Sequence, residues 1–146
     1  MPPKPRRRDL AAMLAPLLRR LIALETPVLA EHGVSMWGYS VLSALDESPV
    51  RTQAALAEAI GADKTRIIPT LDELQERGYI ERSPDPADRR VRLLAITETG
   101  RALKDSVQAQ IQRGEERLLS VLSPADRRAF LRALHEMTGV EDTHRV

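Results

Sequence analysis

The stretch RSPDPADRRVRLLAIT, residues 82–97, decides how the rest of the chain is interpreted. It predicts a strand, a tight loop that ends in Asp88-Arg89-Arg90, and a second strand that pairs back with residues 79–81. Asp88 lies two residues before Arg90 and can hold its guanidinium by a charge-assisted hydrogen bond. The remaining donors of Arg90 are then available for an anionic partner such as a DNA backbone or a narrow minor groove. An ordinary solvated turn is the alternative interpretation.

Two short helices are predicted before this hairpin. The first begins with Thr52 as its N-cap and stops at Gly61. Asp63 is predicted to cap the second helix, and Gly78 is predicted to end it. The apolar positions of the second helix recur at spacings of four and three, at Ile67, Leu71 and Leu74. Two short helices around a glycine turn form a helix-turn-helix motif.

The start of the second helix carries the residues that we expect to face outward. With the apolar stripe turned inward, Thr65, Arg66, Pro69 and Thr70 fall on the outer face, where a recognition helix meets base edges. Lys64 lies at the flank, within reach of a phosphate. Pro69 removes a backbone donor inside the helix, so we expect the helix to be kinked or to begin its regular winding late.

Taken together, these segments resemble the MarR family of bacterial transcriptional regulators. The resemblance rests on AALA (54–57), DKTR (63–66), LDELQERGYI (71–80), DPADRR (85–90) and LAITETG (94–100). It covers roughly residues 36–101 closely and the flanking helices by position only. It implies a mainly α fold with a small β-hairpin wing, in which a winged helix-turn-helix domain is joined to N- and C-terminal dimerisation helices. It also implies a homodimer, usually a repressor, that binds double-stranded DNA at a pseudo-palindromic operator.

The resemblance implies roles for individual residues. Arg90 corresponds to the arginine that enters the minor groove, and Asp88 to its orienting partner. Thr65 and Arg66 correspond to contacts of the recognition helix in the major groove. The complete predicted set of DNA-binding residues is Thr52, Gln53, Lys64, Thr65, Arg66, Thr70, Asp88, Arg89, Arg90 and Arg92. The alternative function is a winged-helix protein-protein interaction module, without sequence-specific DNA binding, whose arginines bind an acidic partner.

Long amphipathic segments flank this lobe. The first has apolar residues at alternating spacings of four and three: Leu10, Leu14, Leu17, Leu21, Leu24 and Val28. A similar seam runs from Leu103 to Leu118, where Gly114 marks either a bend or a close helix approach. Ser123-Pro124-Ala125-Asp126 begins a final helix. We expect the seams to pack on each other and on a second copy of the chain, and an intramolecular bundle is the alternative.

The predicted organisation has five parts. Residues 1–9 form a basic arm that is expected to be disordered, and residues 10–49 form a dimerisation helix and a second helix. Residues 50–97 form the winged helix-turn-helix lobe. Residues 98–139 form the C-terminal dimerisation helices, and residues 140–146 form a tail.

Composition restricts the function and the compartment. The 146 residues are 42% hydrophobic with a net charge of +1, which fits one domain and not a strongly basic nucleic-acid coat protein. The absence of cysteine excludes disulfides and thiol-based redox sensing. No apolar run approaches about 18 residues, so no membrane span is predicted. A start that resembles a twin-arginine signal is interrupted by Arg19-Arg20, and the chain is predicted to be cytoplasmic.

Catalysis is not predicted, and neither is a cofactor. The three histidines are scattered along the chain, and no glycine-rich phosphate loop is present. No metal site is predicted either. The weaker alternative is a metal held near the C-terminus by residues of suitable type: His135, Glu136, Glu141, Asp142 and His144.

A small-molecule effector is the remaining expectation. The resemblance implies a small, often anionic aromatic ligand between the dimerisation helices and the DNA-binding lobe. The predicted ligand-binding residues are Arg19, His32, Met36, Trp37 and Tyr39, a set that combines stacking surface with hydrogen-bonding groups. In the alternative interpretation, Trp37 simply fills the hinge between the two parts.

Overall fold

The computed structural model describes residues 1–48 and 51–139, and every statement about the fold refers to those residues. Its elements are α1 (Leu10–Glu31), α2 (Met36–Glu47), β1 (Arg51–Thr52), α3 (Gln53–Ile60), α4 (Ile67–Glu76), β2 (Ile80–Pro84), β3 (Arg92–Ile96), α5 (Glu98–Leu119) and α6 (Pro124–Thr138). The strands pair antiparallel in the order β1-β3-β2. The predicted mainly α fold with a β-hairpin wing is confirmed, and β1 is a strand that the sequence did not predict. The predicted boundary at residues 49–50 and the tail at 140–146 lie outside the described residues.

Local signals begin and end two of the helices where they were predicted. The Thr52 hydroxyl oxygen accepts a hydrogen bond from the Ala55 amide at 3.2 Å and begins α3. Gly61 ends that helix with a φ of +68°, a left-handed conformation that glycine adopts without steric cost. At the start of α6, the Ser123 hydroxyl oxygen accepts from the Asp126 amide at 3.1 Å, as its predicted N-cap role requires.

The start of α4 differs from the prediction. Regular winding begins at Ile67 with Arg66 at the N-cap, so the expectation that Asp63 caps this helix is wrong. Asp63 instead organises the preceding turn, because its Oδ1 accepts from the Thr65 amide at 2.8 Å and from the Thr65 hydroxyl at 2.7 Å. Pro69 is therefore the third residue of α4, where a backbone N–H has no intrahelical partner to lose. The late start that Pro69 predicted is confirmed.

The wing is a regular hairpin between β2 and β3. Five residue pairs define its register: Ile80–Ile96, Glu81–Ala95, Arg82–Leu94, Ser83–Leu93 and Pro84–Arg92. The loop between the strands is closed by its own backbone, since the Asp85 amide donates to the Val91 carbonyl at 2.9 Å. The Val91 amide in turn donates to the Asp88 carbonyl at 2.9 Å. The hairpin predicted from the sequence is confirmed.

The main core lies inside the lobe that carries the wing. Its buried side chains come from α2, α3, α4 and the sheet: Val41, Leu42, Leu45, Leu56, Ala57, Ile67, Leu71, Leu74, Ile80, Leu94 and Ile96. The helix α2 therefore contributes to the core of the lobe, although the sequence grouped it with the first dimerisation helix. Because the inward stripe of α4 is buried here, the opposite side of α4 is the side that remains accessible.

A second buried cluster joins α1 to α5. It contains Val28, Leu29, Val34, Val107 and Ile111. Beyond this cluster the two helices come very close, because a Cβ added at Gly114 would lie 2.9 Å from Cδ2 of Leu24. Of the two interpretations of Gly114, the close helix approach is the one confirmed.

The start of α5 is seated tightly against the end of α4. The Thr97 hydroxyl donates to the Gly78 carbonyl at 2.7 Å and accepts from the Gly100 amide at 3.0 Å. The Thr97 amide donates to the Tyr79 carbonyl at 3.0 Å. A Cβ at Gly100 would lie 2.1 Å from that same carbonyl oxygen, so only glycine fits. Thr97 and Gly100 of the sequence LAITETG thus join the wing to the long helix α5.

Ion pairs fix α5 to the end of α2. Lys104 is only 5% exposed, and its Nζ lies 2.5 Å from Asp46 Oδ2 and 2.6 Å from Asp105 Oδ1. The Nε of Arg101 also donates to Asp46, at 2.8 Å. Burial by itself raises the pKa of Asp46, but the hydrogen bonds from Lys104 and Arg101 outweigh it and lower that pKa. Asp46 is therefore a charged link between the lobe and α5.

The outer ends of the helical layer leave apolar surface uncovered in a single chain. Exposed large side chains of α1 are Leu10, Met13, Leu14, Leu18 and Ile22. The predicted seam of α1 is therefore too narrow, because three of these five residues lie outside it. No residue of α6 is buried, and Leu131, Leu134 and Met137 are exposed.

Replacement of Gly100 by alanine should destabilise the chain even though alanine favours helices. The new methyl group would overlap the Tyr79 carbonyl oxygen, which belongs to the backbone and cannot rotate away. We expect the free energy of unfolding to fall by about 1–3 kcal/mol, measured by urea denaturation. Thr99→Ala is the matched control at an exposed position of the same turn, and its expected change is within about 0.5 kcal/mol. An unchanged or increased stability of Gly100→Ala would contradict the close contact.

Asp46→Asn should make the free energy of unfolding less dependent on pH in the acidic range. A carboxylate whose pKa is lowered on folding contributes stability above its ordinary value of 3.8, and loses it as the pH falls through the lower folded value. We expect the native chain to be more stable than Asp46→Asn by roughly 1–3 kcal/mol at neutral pH, with the difference vanishing on acidification. Denaturation at several pH values measures this. Asp105→Asn removes the more exposed partner of Lys104 and should cost less than about 1 kcal/mol.

Candidate nucleic-acid interface

The tip of the wing presents one arginine in a fixed orientation. Arg90 Nε donates to Asp88 Oδ1 at 3.2 Å, and its Nη2 donates to Asp88 Oδ2 at 3.5 Å. The same Oδ1 accepts from the Arg90 amide at 3.1 Å, so the carboxylate fixes both the backbone and the side chain. The Arg90 side chain is nevertheless 92% exposed. This pairing has the geometry expected from the sequence, and it leaves the guanidinium accessible to an anion.

A second arginine, which was not predicted from the sequence, attaches the wing to α4. Arg82 Nε donates to Gln75 Oε1 at 2.6 Å, and its Nη2 forms an ion pair with Asp72. Its side chain is only 19% exposed. Arg82 lies two residues after the buried Ile80, so it is on the same face of the strand and is directed toward α4. That period-two relation to Ile80, opposite the acids of α4, was the available signal.

The wing, α4 and the start of α3 border an open polar recess beside this contact. It has a volume of about 300 Å³ and is lined by Gln53, Gln75, Arg82 and Arg92. Gln53 and Arg92 are both in the predicted DNA-binding set, and the structure brings them together here. The neighbouring Thr52 is half-buried, and its hydroxyl oxygen serves as the N-cap of α3.

The turn before α4 carries three of the predicted residues in exposed positions. They are Lys64, Thr65 and Arg66. The hydroxyl of Thr65 is already a donor to Asp63, and this hydrogen bond is the main reason that the pKa of Asp63 is lowered. Thr70 was predicted on the outer face, but it is half-buried because it lies three residues after Ile67 and four before Leu74, beside the buried stripe of the helix.

Two of the three acidic residues of α4 have cationic partners within the lobe. Asp72 pairs with Arg82, and Glu73 Oε1 lies 3.7 Å from Arg77 Nη1. Arg77 also donates to the carbonyl of Gly33, in the turn between α1 and α2, and its guanidinium lies 5.0 Å from the centre of the Tyr79 ring. The negative charge of α4 is thus partly compensated on the side that faces outward, which reduces its repulsion of a polyanion.

The predicted ligand-binding residues occupy three different environments. His32 Nε2 lies 3.0 Å from Gln110 Oε1, so it joins α1 to α5. Tyr39 is half-buried against the second cluster, and burial is the main reason that its pKa is raised. Arg19, Met36 and Trp37 are exposed.

Two consequences follow for the predicted ligand site. Trp37 is 49% exposed, so the interpretation that it fills a hinge within the chain is wrong. The recess beside Arg82 and a larger one of about 560 Å³ between the end of α4 and the wing are not lined by any of the five predicted residues.

Metal binding and membrane insertion are two further possibilities for the part of the chain that the structure describes. Within it, no group of three or more His, Cys, Asp or Glu side chains is placed to hold a metal ion. Of the alternative metal ligands, Glu141, Asp142 and His144 lie outside the described residues. None of the described helices is both long and apolar enough to cross a membrane.

The sequence is similar to one family model and to transcriptional regulators from other bacteria. Residues 34–91 match the family model described as the MarR family. The chain is 28% identical over 106 residues to a putative transcriptional regulatory protein for the hcr operon of Thauera aromatica, covering 73% of this chain and 64% of that protein. It is 27% identical over 138 residues to the HTH-type transcriptional repressor NicR of Pseudomonas putida, covering 92% and 87%. The chain thus spans slightly less than two thirds of the first relative.

Solved structures share the fold over nearly the whole chain. CouR of Rhodococcus jostii RHA1 bound to p-coumaroyl-CoA is 27% identical with a TM-score of 0.74, covering 93% of this chain and 96% of that one. The transcriptional repressor CouR bound to a 23-mer DNA duplex is 29% identical with a TM-score of 0.78, covering 89% and 92%.

Replacement of Arg82 by methionine should loosen the wing without unfolding the lobe. Methionine keeps an apolar stem but removes the donors to Asp72 and Gln75. We expect the amides of the wing loop, residues 85–91, to exchange hydrogen several-fold faster, while those of α5 stay unchanged. Hydrogen-exchange mass spectrometry measures both. Arg92→Met, at the exposed end of β3, is the matched control, and equal effects of the two variants would show that Arg82 does not fix the wing.

Proposed function

We propose that this chain, which carries a MarR-family domain, is a homodimeric transcriptional repressor that binds a pseudo-palindromic DNA operator and releases it when a small ligand binds. The observation that carries the proposal is the wing tip, where Asp88 orients an Arg90 side chain that stays 92% exposed. A guanidinium paired in this way is partly preorganised for an anionic groove, because its hydrogen bonds to Asp88 already restrict the side chain before binding. CouR, which shares the fold, is bound to DNA in one of its structures.

Two surfaces of the lobe meet DNA in this proposal. The exposed turn with Lys64, Thr65 and Arg66 leads α4 into the major groove, and the wing brings Arg90 to the adjacent minor groove. Arg89 and Arg92 are exposed near the same edge and contact phosphates. Of the three remaining predicted residues, Thr52 and Gln53 lie at the start of α3 and approach the DNA backbone beside the recess. Thr70 is half-buried and is not included among the proposed contacts.

Dimerisation supplies the second half-site. The exposed apolar side chains at the start of α1 and along α6 give two copies a shared surface to bury. A two-fold dimer places two α4 helices in successive major grooves, so the half-sites lie about one helical turn apart. Such an operator is pseudo-palindromic because the protein is symmetric.

Ligand-controlled release is the remaining part of the proposal. CouR and NadR have been crystallised with p-coumaroyl-CoA and 4-hydroxyphenylacetate respectively, and both share the fold of this chain. The candidate residues Met36 and Trp37 are exposed beside the α1–α2 turn, and Tyr39 and His32 face α5. A partner protomer that covers Trp37 would complete an aromatic pocket for a small acid, in which Arg19 supplies positive charge.

Fluorescence anisotropy on DNA tests the proposal. The probe is a labelled duplex from the region upstream of the chain's own gene, compared with a scrambled duplex at several salt concentrations. A repressor should bind the native duplex more tightly, with an affinity that falls steeply as salt rises. Equal weak binding to both duplexes, together with capture of an acidic protein by the wing, would favour the protein-interaction module instead.

Removal of either partner of the wing pair should weaken DNA binding. Arg90→Ala is expected to raise the Kd on the order of tenfold to a hundredfold while dimerisation stays intact. Asp88→Ala should also raise the Kd, although it removes a negative charge, because the Arg90 side chain is no longer held. Arg113→Ala is the control, since it removes an exposed cation from α5, outside the lobe. Tighter binding by Asp88→Ala would refute the orienting role of Asp88.

A further inference from the structure

The first turn of α4 exposes apolar surface. Ile67 and Ile68 are adjacent, yet Ile67 is buried in the core whereas Ile68 is 40% exposed. Pro69 follows and is also exposed. A single exposed aliphatic side chain is common on protein surfaces. Here two apolar residues stand side by side at the start of the helix that the proposed function places in the major groove.

Three nearby polar side chains, Thr65, Asp72 and Gln75, are already engaged inside the protein. The hydroxyl of Thr65 donates a hydrogen bond to Asp63. One and two turns further along α4, on the same side of the helix as Ile68, Asp72 and Gln75 accept hydrogen bonds from Arg82. Their acceptor groups hold the wing in place. Hydrogen bonding to bases by Thr65, Asp72 and Gln75 is therefore restricted, and the exposed surface that Ile68 and Pro69 contribute beside them is hydrocarbon.

Major-groove chemistry offers one partner for such a surface. Each thymine places a 5-methyl group in the major groove, and apolar side chains distinguish it from the other bases by contact. The exposed cations Lys64 and Arg66 flank the apolar pair and can hold the adjacent phosphates, which brings the pair close to the base edges. Pro69 fits this role because the first turn of the helix needs no donor at that position and its ring is rigid.

We propose that Ile68 and Pro69 form a specificity surface that recognises thymine 5-methyl groups in each operator half-site. This inference rests on the proposed function, because it requires α4 to enter the major groove. It assigns α4 a base preference that depends on van der Waals contact and desolvation. Arg90 and the other cations then determine affinity and register, and the apolar pair determines which steps of the half-site must contain thymine.

Substitution of deoxyuridine for thymidine tests the surface directly. A duplex is first selected from a random-sequence library with the full-length protein, and each half-site thymidine is then replaced singly by deoxyuridine. This replacement removes only the 5-methyl group and leaves the minor-groove edge that faces Arg90 unchanged. We expect one or two positions per half-site at which the Kd rises about three- to fivefold, the effect of one lost methyl contact. Deoxyuridine outside the half-sites should have no effect.

Variants at position 68 complete the test. Ile68→Ser should bind the thymidine duplex more weakly than the native chain does. It should bind the thymidine and deoxyuridine duplexes with the same Kd, because the contact with the methyl group is already lost. Ile68→Val is the matched control, since it stays apolar and should retain the deoxyuridine penalty. Thermal unfolding checks that both variants fold, which the exposure of Ile68 favours. If deoxyuridine does not raise the Kd of the native chain, or raises the Kd of Ile68→Ser by the same factor, the inference is overturned and the proposed function is not. If no duplex is selected from the library, the proposed function is overturned together with the inference.

Discussion

Burial of one apolar stripe of α4 is the constraint on which the rest of the lobe depends. Ile67, Leu71 and Leu74 are almost fully buried, and they pack with α2, α3 and the sheet in one core. A lobe of this size has little apolar surface to spare, so its core includes side chains of α2 as well. Once this stripe is buried, the helix cannot rotate about its axis, and the side of α4 that faces solvent is fixed by packing before any partner binds.

Arginines then connect this fixed helix to its surroundings. Arg82 connects α4 to the wing, and Arg77 connects it to the turn between α1 and α2. Each arginine also compensates an acid of α4, which lowers the repulsion between this helix and a polyanion. At the wing tip the arrangement is reversed, since there an acid, Asp88, serves to hold an arginine that remains exposed. Arg82 and Arg77 thus hold the parts of the lobe together, whereas Arg90 remains exposed to solvent.

Features set by short-range chemistry were predictable from the sequence, and features set by tertiary register were not. The caps at Thr52 and Ser123 and the turn at Asp88 depend on residues within three or four positions of one another. The pairing of Arg82 with Asp72 and Gln75 depends on how the hairpin folds over the helix. The period-two relation to Ile80 indicates only the face of the strand on which Arg82 lies. The start of α4 was misplaced for a related reason, because Asp63 has two uses, as a helix cap or as the acceptor of a preceding turn, and the local sequence permits both.

The contact between Arg77 and Gly33 gives the effector hypothesis a physical requirement. It joins the end of α4 to the α1–α2 turn, and the candidate residues His32, Met36 and Trp37 lie within four positions of Gly33. Gly33 has a φ of +66°, and a Cβ there would lie 3.3 Å from Arg77 Nη2, so the turn and the arginine fit closely. Because the core prevents α4 from rotating, a ligand that shifts this turn must either break the contact or move the whole lobe with the turn. In a dimer, movement of the lobes changes the spacing of the two α4 helices. Binding to a pseudo-palindromic site requires this spacing to match the distance between the two half-sites.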